Sequence, residues 1–255
     1  MPWFEIVAIL LAGVAAGTIN TIVGSGSLVT FPTLLFFGYP PVVANMSNTV
    51  GLLPGGLSGG YGYRRELAGQ GRVLRRLVPA SLVGGTTGGV LLLVLPASVF
   101  DAIVPALILL GLLLVVFGPA LQRRARANHP GAVTPGQRRL LVVLVFLTGI
   151  YGGYFGAAQG VILMGVMATL MAENLQVING VKNVLGLIAN ATAAVVFVTA
   201  RPGDVDWAVV ALIGAGTLVG GVIGAKVGRR LPTAVLRGAI LVVGTVAVLR
   251  MTVFA

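Results

Sequence analysis

Long apolar runs, parted by short polar or glycine-rich gaps, follow one another from end to end of this sequence. They fall at residues 4–23, 27–38, 42–62, 77–95, 99–121, 139–156, 159–172, 176–200, 207–227 and 233–254. A helix needs roughly 20 mostly apolar residues to cross about 30 Å of hydrocarbon. Most of the runs approach that length, which predicts an all-α, polytopic transmembrane helix bundle. Two runs, 27–38 and 159–172, are short for an ideal crossing, and each follows a glycine-rich break. Their length is compatible with crossing or with turning back.

The polar gaps give an orientation. One gap holds Arg64, Arg65, Arg72, Arg75 and Arg76, a second Arg123, Arg124, Arg126, Arg138 and Arg139, and a third Lys226, Arg229 and Arg230. Lys and Arg concentrate in cytoplasmic loops, so these gaps are expected inside. The gaps at Leu95–Ser98 and Arg201–Asp206 lack a basic excess and are expected outside, with both termini. The first five residues carry no Lys or Arg. A secretory signal opens on positive charge, so the first run is expected to be retained as a membrane segment.

The order of features recurs at an offset of about 132–135 residues. Gly17 to Gly26 (GTINTIVGSG) lines up with Gly149 to Ala158 (GIYGGYFGAA). A short apolar run follows in each half. Then come Asn45-Met46-Ser47-Asn48 in the first and Asn179-Gly180-Val181-Lys182-Asn183 in the second. The gap after the first of these segments is strongly basic, and the gap after the second is not. Equivalent gaps then lie on opposite sides of the membrane. This predicts two inverted-topology repeats with Gly-broken helices, a common plan of secondary transporters. The expected division is a first membrane repeat over 1–121, a cytoplasmic linker over 122–138 and a second membrane repeat over 139–255.

Composition agrees and excludes other classes. The 255 residues are 57% hydrophobic and only 9% charged, where a soluble domain is about a quarter charged. So few charges cannot cover a surface facing water, and lipid must be the solvent for most of it. The net charge of +11 would suggest nucleic acid in a soluble protein. Here the basic residues sit between apolar runs, with no interleaved aromatics to stack bases, so no nucleic-acid partner is expected. There is no cysteine, and the one histidine is His129 in the linker. Neither a metal site nor a cofactor is expected.

Two constellations carry candidate chemistry. The first is the pair of breaks: Gly24, Ser25, Gly26 and Ser27 with Thr30, and Gly156, Gln159 and Gly160. Broken backbone at membrane depth must line a cavity or be buried in protein. A restarting half-helix offers N–H groups and the positive end of its dipole to an anion. The hydroxyls and the Gln159 amide add donors. The bland alternative is close helix packing through small residues. The second constellation is Asn179, Lys182 and Asn183, which share one helical face. Lys182 is the only basic residue deep in a predicted span, and no acidic residue lies deep enough to pair with it. Such a charge is costly and points to function. It is expected to fix an anionic substrate or to titrate in proton coupling, the alternative being snorkelling to an interface. The first-half counterparts, Asn45 and Asn48, are uncharged. Asn20, Thr21, Tyr151, Tyr154, Asn190 and Thr192 are weaker candidates, equally readable as interhelical hydrogen bonds. Gly24-Ser25-Gly26 read as a serine nucleophile lacks a base within reach, so an enzyme is not expected.

These segments resemble the TauE/SafE family, also called the toluene sulfonate uptake permease family. The likeness is carried by GTINTIVGSGSLVTFP (residues 17–32), YGGYFGAAQG (151–160) and NGVKN (179–183). Relatives often have three consecutive glycines in the first break; here Ser25 and Ser27 interrupt them. The resemblance implies transport of sulfur-containing anions, such as sulfite or organosulfonates like sulfoacetate, across the inner (cytoplasmic) membrane. The expected protein is then a secondary transporter with alternating access around a midplane anion site. Its expected partners are a small anionic substrate and the lipid bilayer, with protons as a candidate coupling ion. An anion channel and, from another class, an intramembrane hydrolase are the alternative readings.

Overall fold

In hydrocarbon every backbone polar group needs an internal partner, and the apolar runs meet that demand as helices. The computed structural model describes residues 1–127, 134–227, 238, 240–243 and 245. Its helices are α1 (Trp3–Ile22), α2 (Ser27–Phe36), α3 (Pro41–Gly51), α4 (Leu53–Gly62), α5 (Gly71–Val94), α6 (Ala97–Ala127), α7 (Pro135–Tyr154), α8 (Gln159–Leu170), α9 (Leu175–Ala200) and α10 (Trp207–Val227). Five of them, α1, α5, α6, α9 and α10, contain a stretch long and apolar enough to cross a membrane. The run at 233–254 lies mostly outside the described residues, as does His129.

Local chemistry explains where helices depart from the apolar runs. The run 42–62 is two helices, parted at Leu52, with Pro54 in the first turn of α4, a position that tolerates its missing N–H. Helix α5 starts at Gly71, ahead of the apolar run, because Arg72, Arg75 and Arg76 occupy its exposed first turns. Helix α7 starts at Pro135, where Thr134 and Gln137 form a reciprocal capping box. Helix α6 continues through Pro105 and Pro119 to Ala127. The stretch 122–138 is therefore helical at both ends.

Both short helices turn back. The Tyr39 hydroxyl, just beyond α2, donates to Glu5 Oε1 in the first turn of α1 at 2.7 Å. That bond returns the chain to the end of the bundle where α1 began. In the second half, Leu170 and Glu173 after α8 share a groove with Arg138 and Leu141 at the start of α7. Gln70, just before α5, also donates to Glu173 Oε1 at 3.2 Å.

The helices pack as two groups that cut across the sequence halves. Helix α10 lies along α1 and α4, and α5 lies along α7 and α9. Both long seams are lined by glycine, which lets backbones approach closely and maximises dispersion contact where lipid offers no hydrophobic driving force. A Cβ at Gly220 of α10 would meet Val14 and Thr18 of α1; one at Gly84 of α5 would meet Phe146, Gly149 and Ile150 of α7. The match extends to hydrogen bonds. Thr217 Oγ1 donates to Gly51 O at 2.9 Å, and Ser81 Oγ donates to Leu185 O at 2.7 Å. These donors begin a second internal match, Ser81-Leu82-Val83-Gly84-Gly85 against Thr217-Leu218-Val219-Gly220-Gly221, 136 residues apart. Each such bond contributes about 0.6 kcal/mol in a membrane interior, so close packing holds the seams while the hydroxyls tie α10 to the end of α3 and α5 to α9.

Candidate functional site

The two places where a helix stops and restarts meet in the interior. After α1, Gly24 adopts φ 86°; after α7, Gly156 adopts φ 78° and Ala158 φ 60°. Positive φ is open to glycine at little cost, so the glycines let the chain reverse in a few residues. The Gly160 N–H donates to Gly24 O at 2.9 Å. A Cβ on either glycine would collide with the Cα of the other. Segments some 130 residues apart in sequence therefore cross backbone to backbone.

A small cavity lies at this crossing. Asn20, Thr21, Gly24 and Ser27 border it from the first break, and Gly156, Gln159 and Gly160 from the second. Helix α9 contributes Lys182, Asn183, Gly186 and Asn190, and the α3–α4 junction contributes Leu52, Gly55 and Gly56. Its free volume is about 30 Å³, room for one or two waters.

The electrostatics are set by helix ends. Breaking α1 leaves its last carbonyls without intrahelical partners, at the negative end of its dipole. Lys182 Nζ donates to Asn20 O at 3.0 Å and Thr21 O at 3.3 Å. Asn183 Nδ2 and Asn179 Nδ2 also reach Thr21 O, at 3.2 and 3.3 Å. Asn179 Nδ2 gives a further bond to the Tyr63 hydroxyl at 2.8 Å. Lys182 is 2% exposed, so it does not snorkel. In place of a carboxylate, the carbonyls that end α1 are its partners in the protein. The second break is held by a neutral counterpart, with Asn45 Nδ2 donating to Tyr154 O at 2.9 Å.

The expectation that the restarting helices offer free N–H groups is corrected for α8. The N–H of Gln159 goes to Gly156 O, that of Gly160 to Gly24 O, and that of Val161 to Ala158 O. Buried side chains are among the donors left for a ligand. Gln159 Nε2 is buried with no hydrogen-bond partner among the described residues, as is Ser25 Oγ.

Of the residues singled out in the sequence, Gly24, Ser27, Gly156, Gln159, Gly160, Lys182 and Asn183 come together at the cavity. So do Asn20, Thr21 and Asn190 of the weaker candidates, whereas Gly26, Thr30, Asn45, Asn48 and Asn179 stand behind it. Thr30 and Ser27 are tied to Asn48, whose Oδ1 accepts from Thr30 Oγ1 and whose Nδ2 donates to Ser27 Oγ. Gly26 packs against Ala16 O, and Asn179 and Asn45 brace helix ends. The sequence reading missed Gly55, Gly56 and Gly186. Their spacing resembles that of packing glycines elsewhere in the chain, so no local signal sets them apart.

The family model described as "Sulfite exporter TauE/SafE" matches residues 9–251, nearly the whole chain. The chain belongs to this family. A "Probable membrane transporter protein" of Haemophilus influenzae is 30% identical over 223 residues, covering 87% of this chain and 85% of the relative. A Sinorhizobium protein, "Probable membrane transporter protein ORF9", is 30% identical, with 88% and 83% covered. "Probable membrane transporter protein YfcA" of Escherichia coli K12 is 28% identical, with 85% and 76% covered. No solved structure matches the chain. Membership of the TauE/SafE family makes this a multi-pass membrane transporter rather than an enzyme.

Proposed function

We propose that this TauE/SafE member is a secondary transporter of small sulfur oxyanions, sulfite or short organosulfonates, and that the crossing of the two breaks is its anion site. The observation that carries the reading is the donor set at the cavity. Lys182 and the unpartnered Gln159 amide line one enclosed space, with the start of α8 at its wall. A sulfite or sulfonate head offers three acceptor oxygens, which suits charge-assisted donors converging from two sides. Among the described residues, no carboxylate lines the cavity. Lys182 is its titratable side chain, which makes it the natural carrier of a coupled proton.

We further infer two inverted repeats working by alternating access. Helices α1 and α10 pack in parallel, as do α5 and α7, judged by their glycine contacts. The short connection between α4 and α5 sets these groups antiparallel. The matched Ser81 and Thr217 bonds support the same relation. In this scheme the two helix groups rock against each other about the Gly24–Gly160 crossing. In the proposed orientation the arginine-rich end is cytoplasmic and the inner membrane is the location.

The reading predicts which ligands stabilise the purified protein. Sulfite and sulfoacetate are expected to raise the melting temperature in a saturable way, and taurine, whose ammonium meets Lys182, much less. Equal shifts from acetate, sulfate and sulfite, or none from any, would remove the sulfur assignment.

A further inference from the structure

A second concave site lies at the arginine-rich end, away from the cavity. Its volume is about 300 Å³. Arg72 and Arg76 of α5 and Arg138 of α7 line it, and Leu77, Leu141 and Leu170 are among its apolar residues. Two features point to its occupant. Arginines from two helices converge on one space, and their planar guanidinium groups match a phosphate bidentately. The one carboxylate in the lining among the described residues, Glu173, already accepts a bond from Gln70. On α7, which lends Leu141 and Val142 to the groove, Leu140, Val143 and Leu147 are exposed apolar residues. A free oxyanion has no use for that surface, whereas a phospholipid has a phosphate for the arginines and a chain for the leucines. Basic pockets between membrane helices on the cytoplasmic side suit such headgroups.

We propose that this groove is a binding site for an anionic phospholipid, its phosphodiester held by Arg72, Arg76 and Arg138 and one acyl chain laid along α7. A lipid bound there bridges α5, α7 and the α8–α9 connection, and so braces the packing behind the second break. The proposal does not depend on the identity of the transported anion.

The test uses the full chain, purified in detergent and delipidated. Melting is followed with added phosphatidylglycerol, phosphatidylcholine or inorganic phosphate, and bound lipid is counted by native mass spectrometry. Phosphatidylglycerol is expected to raise the melting temperature and to remain bound, phosphatidylcholine to do so at least tenfold more weakly, and phosphate alone to do neither. The triple variant Arg72→Gln, Arg76→Gln, Arg138→Gln is expected to lose the preference for phosphatidylglycerol tenfold or more. Arg201→Gln, at the opposite end, is expected to keep it. An equal shift from inorganic phosphate would make this a free-anion site and overturn the proposal. So would an unchanged lipid preference in the triple variant. Should the triple variant fail to fold, Arg138→Gln alone is expected to weaken retention of phosphatidylglycerol severalfold, and unchanged retention there would count equally against the site.

Discussion

Replacing Gly24 with alanine is expected to abolish transport and to destabilise the fold by about 2–5 kcal/mol. Two effects add. A side chain at positive φ costs roughly 1–2 kcal/mol, and Gly24 sits at φ 86°. Forcing a methyl group into close-packed surroundings costs typically about 1–3 kcal/mol more, and here it meets the Gly160 backbone, which has no flexible end to swing aside. Gly38 separates the two effects. It has the same φ of 86°, and a methyl group added there would meet nothing within 4 Å, so Gly38→Ala should show the strain alone and transport normally. Thermal melting and uptake assays on both variants check this. Equal behaviour of the two would mean that the crossing is not a tight contact.

Lys182→Met is expected to fold and to lose anion affinity by tenfold or more, which corresponds to about 1.4 kcal/mol. The substitution removes a costly buried charge but leaves Asn20 O short of a donor, at about 1–3 kcal/mol. Thr21 O keeps Asn179 and Asn183, so the end of α1 stays capped in part. Lys182→Arg should rescue only partly, because the planar guanidinium is larger and its donors diverge. The readout is the sulfite-induced melting shift on each variant. A lowered melting temperature with unchanged affinity would reduce Lys182 to a helix cap.

Much of the architecture was legible because lipid enforces simple rules. Helix existence followed from apolar length. The fold-back of α2 and α8 was not legible, since length alone permits crossing or return; the Tyr39–Glu5 bond and the groove around Leu170 decide it. The capping box at Thr134 hid within Thr134-Pro135-Gly136, which reads as a turn until Gln137 is seen to reach back. The grouping of α10 with α1, and of α5 with α7, depends on partners more than 60 residues apart, beyond any local pattern. At the site, Lys182 was conspicuous as a lone intramembrane charge. Its partner was invisible, because carbonyls at the end of a distant broken helix leave no mark in composition or spacing. Asn45 and Asn48 share the polar character of the site residues, yet they brace the breaks instead of facing the cavity.

The most direct test of the central claim is counterflow in proteoliposomes. Vesicles preloaded with unlabelled sulfite are diluted into a trace of radiolabelled sulfite, with wild type, Gly24→Ala and Lys182→Met compared at matched insertion. The account predicts transient accumulation of label above equilibrium in the wild type, saturable in sulfite, absent in Gly24→Ala and strongly reduced in Lys182→Met. Flux that rises linearly without overshoot would indicate a channel, and counterflow undiminished in both variants would place the anion path elsewhere in the bundle.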